Sequence, residues 1–355
     1  MITWRKGVVI ATRREWHGAV ELDVSVADAT VRALCYPALT GLPAAGDTVL
    51  LNTTALDLGL GTGGYALVVA LPDRLPPDKT MPGHLVKARY TPLQATVLGA
   101  DEQGSPHHHV LRDADDIDGM PVVVADLHSA LPAVLAGIPD LSKRAVVYLM
   151  QDGGSLPAWF SRTCSALREA GWLAGVVTTG QCFGGDLETV TLHTGLLAAR
   201  HVLGADIAVV TQGPGNLGTG TRWGFSGVAA GEAVNAAACL GGRPVASLRV
   251  SFADPRDRHR GISHHSLTAY GRVAMARADV VLPSGMGASD VIAAQAAGLA
   301  DRHTLVPVPA DGLEAALRAA PVRLSTMGRG LDEDLAYFVT AAAAGRHAGR
   351  LLAMA

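Results

Sequence analysis

The sequence predicts an α/β protein with a small β-barrel-like amino-terminal domain followed by a Rossmann-like, doubly wound, mostly parallel sheet. Three observations predict it. The run Val20–Val26 alternates apolar and polar residues without a slip, the period of a strand with one buried face. From Pro121 onward, strand-length runs alternate with helix-length segments at the spacing of βα units. Those later runs are continuously apolar, as in a parallel sheet covered on both faces.

The elements follow in order. Within residues 1–92, strand-like runs at Gly7–Thr12, Val20–Val26, Ala29–Tyr36, Thr48–Asn52 and Tyr65–Leu71 are separated by Gly, Pro and Asp, which predicts a barrel of about five strands. The glycine-rich stretch Thr53–Gly64 between two of them reads as a flexible hairpin or as a lid. Residues 93–120 lose periodicity and read as a connecting segment, polar from Asp101 to Gly119. It carries His107, His108 and His109, adjacent histidines that read as solvated loop. Residues 121–355 hold strand-like runs at Val122–Asp126, Ala145–Leu149, Ala174–Thr178, Ile207–Thr211, Val245–Val250, Val280–Leu282, Thr304–Val308 and Val322–Ser325. Eight such units also suit a closed βα barrel. The short last helix near Gly312–Ala320 and the concentration of glycine loops in mid-run favour the open sheet.

Composition narrows the function. With 355 residues, 49% hydrophobic, the chain buries one large core and one small one. A net charge of -3 offers no basic surface for nucleic acid. No run approaches the roughly eighteen apolar residues of a spanning helix, so no membrane partner is expected. Cys35, Cys164, Cys182 and Cys239 lack any C-x-x-C spacing and suit reduced thiols in a cytoplasmic protein. A homo-oligomer is compatible with all of this.

In either architecture the ligand sits outside the carboxyl ends of the strands. Those ends carry Asp126 and His128, then Gln151 to Ser155, then Thr179 to Glu188, then Gln212 to Arg222, then Ser251 to Ser266, and finally Thr326 to Gly330. The opposite ends are ordinary turns. The richest stretch, Ser251 to Ser266, packs Asp254, Arg256, Asp257, Arg258, Arg260 and three histidines behind an apolar strand. Self-paired solvated charge is one reading of its first half. Ser263 would cap a helix whose first turn presents His264 and His265, with the helix end keeping them neutral as bases or ligands.

Gly213-x-Gly215-x-x-Gly218 matches the dinucleotide fingerprint after a strand, but Thr219 to Gly224 delay any helix. Arg256, Arg258 and Arg260 keep a phosphorylated nicotinamide cofactor, and so an NADP-dependent oxidoreductase, as an alternative. The residue after Gly218 is Thr219, so the loop is no Walker motif. It reads instead as an anion cradle of free amides, Asn216, Thr219, Thr221 and Arg222, with Ser251, Asp254, Arg256, Arg260 and Arg329 completing a ligand-binding rim. Cys182 on a strand-to-helix elbow is a candidate nucleophile. Asp152 is a second candidate catalytic group. His128, Asp152, Asp186 and His264 form a candidate divalent-metal set, although Asp186 also suits a helix start.

The segments Gln212–Gly227, Gly261–Ser266 and Leu324–Gly330 behind a short β-rich region resemble a bacterial family catalogued only as a domain of unknown function, over nearly the whole chain. The resemblance brings no activity, cofactor or catalytic residue. The sequence therefore predicts a protein that binds a small anionic, phosphorylated or nucleotide-like ligand, as a hydrolase or transferase using His264 or His265, or as a non-catalytic ligand sensor.

Overall fold

The computed structural model describes residues 1–61, 63–78, 80, 83–154 and 156–353. Thr62 of the glycine-rich loop and Ser155 lie outside the described residues. The chain divides into two compact units, Met1–Val97 and Leu98–Ala355.

In the first unit, strands β1 (Trp4–Trp16), β2 (Ala19–Val26), β3 (Ala29–Cys35), β4 (Thr48–Asn52) and β5 (Ala66–Ala70) close a barrel in the order β1-β2-β3-β5-β4. β4 pairs back onto β1, and β3 runs parallel to β5. This is the small five-stranded barrel expected from the alternating runs. Leu22 and Val24 point inward with Ala33, Val49, Leu51 and Ala66, while Asp23 between them accepts from the guanidinium of Arg13 at 2.7 Å. A hairpin of β6 (Leu85–Lys87) and β7 (Ala95–Val97) follows.

The second unit contains β8 (Pro121–Val124), β9 (Val146–Gln151), β10 (Gly175–Thr179), β11 (Leu187–Thr189), β12 (Ile207–Gln212), β13 (Arg243–Ser247), the two-residue strands β14 (Val250–Ser251) and β15 (Gly261–Ile262), then β16 (Asp279–Ser284), β17 (Thr304–Pro309), β18 (Ser325–Thr326) and β19 (Arg329–Gly330). Eight of them form one parallel sheet, β11-β10-β9-β12-β8-β13-β16-β17. The sheet is open, with β11 and β17 as edges, so the closed-barrel alternative is excluded.

Two expectations about its strands are corrected. Val322–Ser325 does not enter the sheet; Ser325 and Thr326 pair with Arg329 and Gly330 in a separate ribbon. The eighth parallel strand is β11, where a helix start was expected at Asp186. The Asp186 carboxylate accepts from the Val176 amide at 2.8 Å and pairs with Arg168 at 2.8 Å, so it pins the chain back against β10 instead of opening a helix. Residues 98–120, expected as a connection, contribute Ala100, Leu111, Ile117 and Met120 to the core on one face of the sheet.

Helices cover both faces, each with its own apolar core. The longest, Leu335–Ala353, crosses the helix Leu131–Gly137 at two glycines. A Cβ on Gly137 would fall onto the carbonyl of Ala342, and one on Gly345 onto the carbonyl of Val134. The crossing therefore needs hydrogen at both positions. No helix among the described residues is long and apolar enough to cross a membrane.

The strand order reverses at β8. The chain builds outward on one side to β11, returns through β12, and then extends on the other side through β13, β16 and β17. The carboxyl ends of β12, β8 and β13 thus flank a topological switch point, where open parallel sheets bind ligands.

Because the obstacle at the helix crossing is backbone, Gly345→Ala should lower the unfolding free energy by about 2 kcal/mol or more. Denaturant titration checks this, and a variant as stable as the wild type would contradict the close crossing.

Candidate functional site

The segment after β13 is shaped by its backbone hydrogen bonds. β14 and β15 pair antiparallel and so fold the charged excursion between them into a loop. The Arg249 amide donates to Ser266 Oγ at 2.9 Å, and its carbonyl accepts from the Ser263 amide at 2.8 Å. As expected, Ser263 caps the helix His264–Thr268, its Oγ accepting from the His265 amide at 3.2 Å. That helix runs into a π turn, Ala269–Val273, a distortion frequent at functional sites. The turn delivers the buried Tyr270 hydroxyl to the carbonyls of Val124 and Ser247, at 2.9 and 3.1 Å, just where β8 and β13 end.

His259, His264 and His265 meet in this fold. Their rings are 4.4 to 5.0 Å apart between centroids. One ring nitrogen from each lies within 4.8 Å of the others, and this is the one such group of three His, Cys, Asp or Glu side chains among the described residues. Phe225, at the end of the glycine loop, stacks flat on His265 with centroids 3.8 Å apart and planes 2° from parallel. His259 Nδ1 lies 2.7 Å from Ser263 Oγ. His265 Nδ1 lies 3.6 Å from Asp126 Oδ2 and 3.4 Å from the Arg249 guanidinium. His264 Nε2 is buried without a hydrogen-bond partner. Burial, aided by Arg249, pushes His259 down to about 3, and burial with the neighbouring His265 lowers His264 as well. For His264 the cause differs from the helix-end effect expected, but the direction is the same: His259 and His264 are neutral at pH 7 and each keeps a lone pair.

An ion network backs the imidazoles. Arg249, with 4% of its side chain exposed, lies 3.9 Å from Asp126 and 3.7 Å from Asp254. Arg256 grips Asp254 through two bonds of 2.8 and 2.7 Å, which hold that carboxyl far below the usual range. Arg329 reaches Asp254 at 3.6 Å and Asp334 at 2.9 Å, and Ser251 Oγ donates to Asp334 at 2.8 Å. The network thus joins Arg249, Arg256 and Arg329 to Asp126, Asp254 and Asp334, and its charges cancel. Gln212 at the end of β12 donates to the Asp126 carbonyl at 2.6 Å. Asp126 Oδ2 and Gln212 Oε1 are buried without a hydrogen bond.

The family described as protein of unknown function DUF3866 matches residues 32–345. The chain belongs to this family. A search of the curated proteins finds no match.

In this DUF3866 protein the sequence-predicted site residues fall into three groups. His264 and His265 lie at the centre. In that same first group Ser251, Asp254, Arg256 and Arg329 form the internal framework, their charges spent on one another rather than offered to a ligand. The glycine loop is a hairpin beside it: Gly218 bridges Phe225, the Thr219 amide donates to Gly224 O at 2.7 Å, Thr221 Oγ accepts from Gly224 N at 3.1 Å, and Ser226 Oγ donates to Asn216 Oδ1 at 2.8 Å. Several of its amides therefore bond within the loop and are not the free donors expected. Gly213 is tightly packed, a Cβ there striking Met150 and Leu156, whereas Gly215 has φ +95 and open space around it. The next helix begins only at Ala229, which removes the helix-end geometry of a dinucleotide fingerprint. The Arg258 guanidinium lies 3.8 Å from where a Gly220 Cβ would stand, so the two segments meet. Arg222, Arg258 and Arg260 are exposed and form no ion pair among the described residues.

The third group lies apart from the cluster. Cys182 is fully buried, its Sγ 3.6 Å from the Gln151 carbonyl, and β11 rather than a helix follows it; this corrects the exposed-nucleophile expectation. Asp152 accepts from the amides of Gly154 and Gln181, both at 3.1 Å. His128 sits between the Tyr148 hydroxyl at 3.0 Å and Ser161 Oγ at 2.7 Å. The set His128, Asp152, Asp186 and His264 is thus not brought together. The sequence shows Asp126 at a strand end and His259 inside the charged run without marking either as a site residue, and Arg249 and Phe225 carry no such signal.

Two outcomes follow. Arg249→Met leaves two buried carboxylates without their shared cation and should cost about 3–5 kcal/mol. Arg258→Met, at an exposed position, should change stability by less than about 0.5 kcal/mol. Equal effects in denaturant titration would contradict the network. His128 is pushed down by burial to about 4 from 6.5. Below pH 6.5 the unfolded chain takes up a proton that the native state refuses, so stability falls as pH falls through 6.5 towards 4. His128→Gln should flatten that slope, and an unchanged slope would contradict the burial of a neutral imidazole.

Proposed function

We propose that this protein binds a small anionic metabolite, bearing phosphate or carboxylate, in the crevice outside β8, β12 and β13, and acts on it by hydrolysis or group transfer with the imidazole cluster at the reacting end. The observation that carries the reading is the meeting of the glycine loop with the charged segment at the switch point, through Phe225 on His265 and Arg258 beside Gly220. The internal ion network is neutral, so it has no charge to offer. Arg222, Arg258 and Arg260 at the rim do have one, and guanidinium groups recognise phosphate and carboxylate through paired donors.

A neutral His264 keeps a lone pair available as a base near pH 7. The reading places the protein in the cytoplasm, in keeping with four free cysteines, and takes a small molecule rather than nucleic acid or a membrane as its partner.

Calorimetry with pyrophosphate and nucleoside diphosphates as probes tests binding. Arg258→Ala should weaken it at least tenfold while leaving stability unchanged. Turnover, followed by phosphate release, should fall roughly 10²–10⁴-fold in His264→Gln with binding retained. Binding without turnover in the wild type would turn the assignment to ligand sensing. No binding of any anionic probe would remove it.

A further inference from the structure

We propose that His259, His264 and His265 form a binding site for one divalent transition-metal ion of the zinc class. This set differs from the mixed histidine–aspartate set expected from sequence, and the site rests on geometry alone; only its use in turnover rests on the function proposed above. Nitrogens around a tetrahedral zinc at about 2.1 Å stand roughly 3.4 Å apart. The three ring nitrogens are already within 4.8 Å of one another, so small ring turns close the set. Imidazole is a borderline donor that suits zinc, and three histidines leave a coordination position for water or an oxyanion.

The atoms behind the rings strengthen the assignment. Histidine ligands ordinarily donate their second N–H to a carboxylate, carbonyl or hydroxyl, which fixes the tautomer and leaves the other nitrogen to the ion. His259 has Ser263 Oγ at 2.7 Å from Nδ1, leaving Nε2. His265 Nδ1 faces Asp126 Oδ2 at 3.6 Å. Asp126 is 4% exposed, and that oxygen has no hydrogen bond. A buried carboxylate oxygen left without a donor is destabilising. Donation from Nδ1 satisfies it and frees Nε2, and Arg249 then serves Asp126 and Asp254 rather than the ring. His264 Nε2 is likewise buried and without a hydrogen bond. Phe225, stacked flat on His265, restricts that ring to its plane. The alternative, an aromatic cluster of four rings, explains the stacking but leaves His264 Nε2 without a partner and Asp126 Oδ2 with only the long Arg249 pair at 3.9 Å.

The test uses the full chain, treated with chelator and dialysed, with zinc alone as the probe and no anionic ligand present. Isothermal titration should give one ion per chain. His259→Ala and His264→Ala should each weaken binding at least 100-fold, and Asp126→Asn, a positioning change, by about 10–100-fold. Cobalt should give the visible bands of a tetrahedral nitrogen site, shifted in Asp126→Asn. Where a variant fails to fold, X-ray absorption at the zinc edge of the wild type decides: a shell of three imidazoles is expected. No stoichiometric binding, a shell dominated by sulfur, or undiminished affinity in folded His264→Ala overturns the site. Pyrophosphate binding without zinc binding would overturn the metal site and leave the crevice reading standing.

Discussion

Arg249 is the group on which the site depends. It leaves the end of β13 with its backbone tied to Ser263 and Ser266, and its guanidinium stands between Asp126, from the end of β8, and Asp254, from the charged loop. Burying one carboxylate is costly, and burying two on neighbouring elements is tenable only with a shared cation. The consequence is positional. With Asp254 held inward by Arg249, Arg256 and Arg329, the loop between β14 and β15 folds back over the strand ends, and His259 arrives opposite His264 and His265.

A frame whose own charges cancel has a chemical meaning. Charges committed to one another hold geometry without competing for a ligand, and the proposed function accordingly assigns recognition to the exposed arginines and reactivity to the imidazoles. The sheet supplies the place for both. At the switch point the connections leave β8 and β13 in different directions, which is where open parallel sheets bind ligands, and the glycine hairpin and the charged loop meet beside it. The Tyr270 hydroxyl reaches carbonyls at the ends of both strands.

Much of this was legible in the sequence, and what was hidden was hidden for physical reasons. Continuous apolar runs located seven of the eight parallel strands; in the interior strands burial on both faces leaves no other composition, while the edge strand β17 is apolar though only partly buried. β11 escaped notice because a three-residue edge strand has no periodicity of its own and is held by the side chain of Asp186. Val322–Ser325 misled because apolar content reports burial, which a short ribbon also provides. Ser263 as a cap, with both following histidines in the site, was readable from local chemistry. Arg249 was not, since it lies within the apolar run Val245–Val250, and a cation there declares its purpose only when Asp126, more than a hundred residues earlier, is placed beside it. His259 was masked by neighbours of both signs whose pairing spacing does not specify.

The buried ion network brings three imidazoles together at the switch of the sheet. An anomalous difference map at the zinc edge, from a wild-type crystal soaked in zinc, measures that point directly. The expected result is a peak within bonding distance of His259, His264 and His265, with Asp126 behind His265. The strongest peak at His107 to His109, or at His128, or no ordered peak at all, would contradict it.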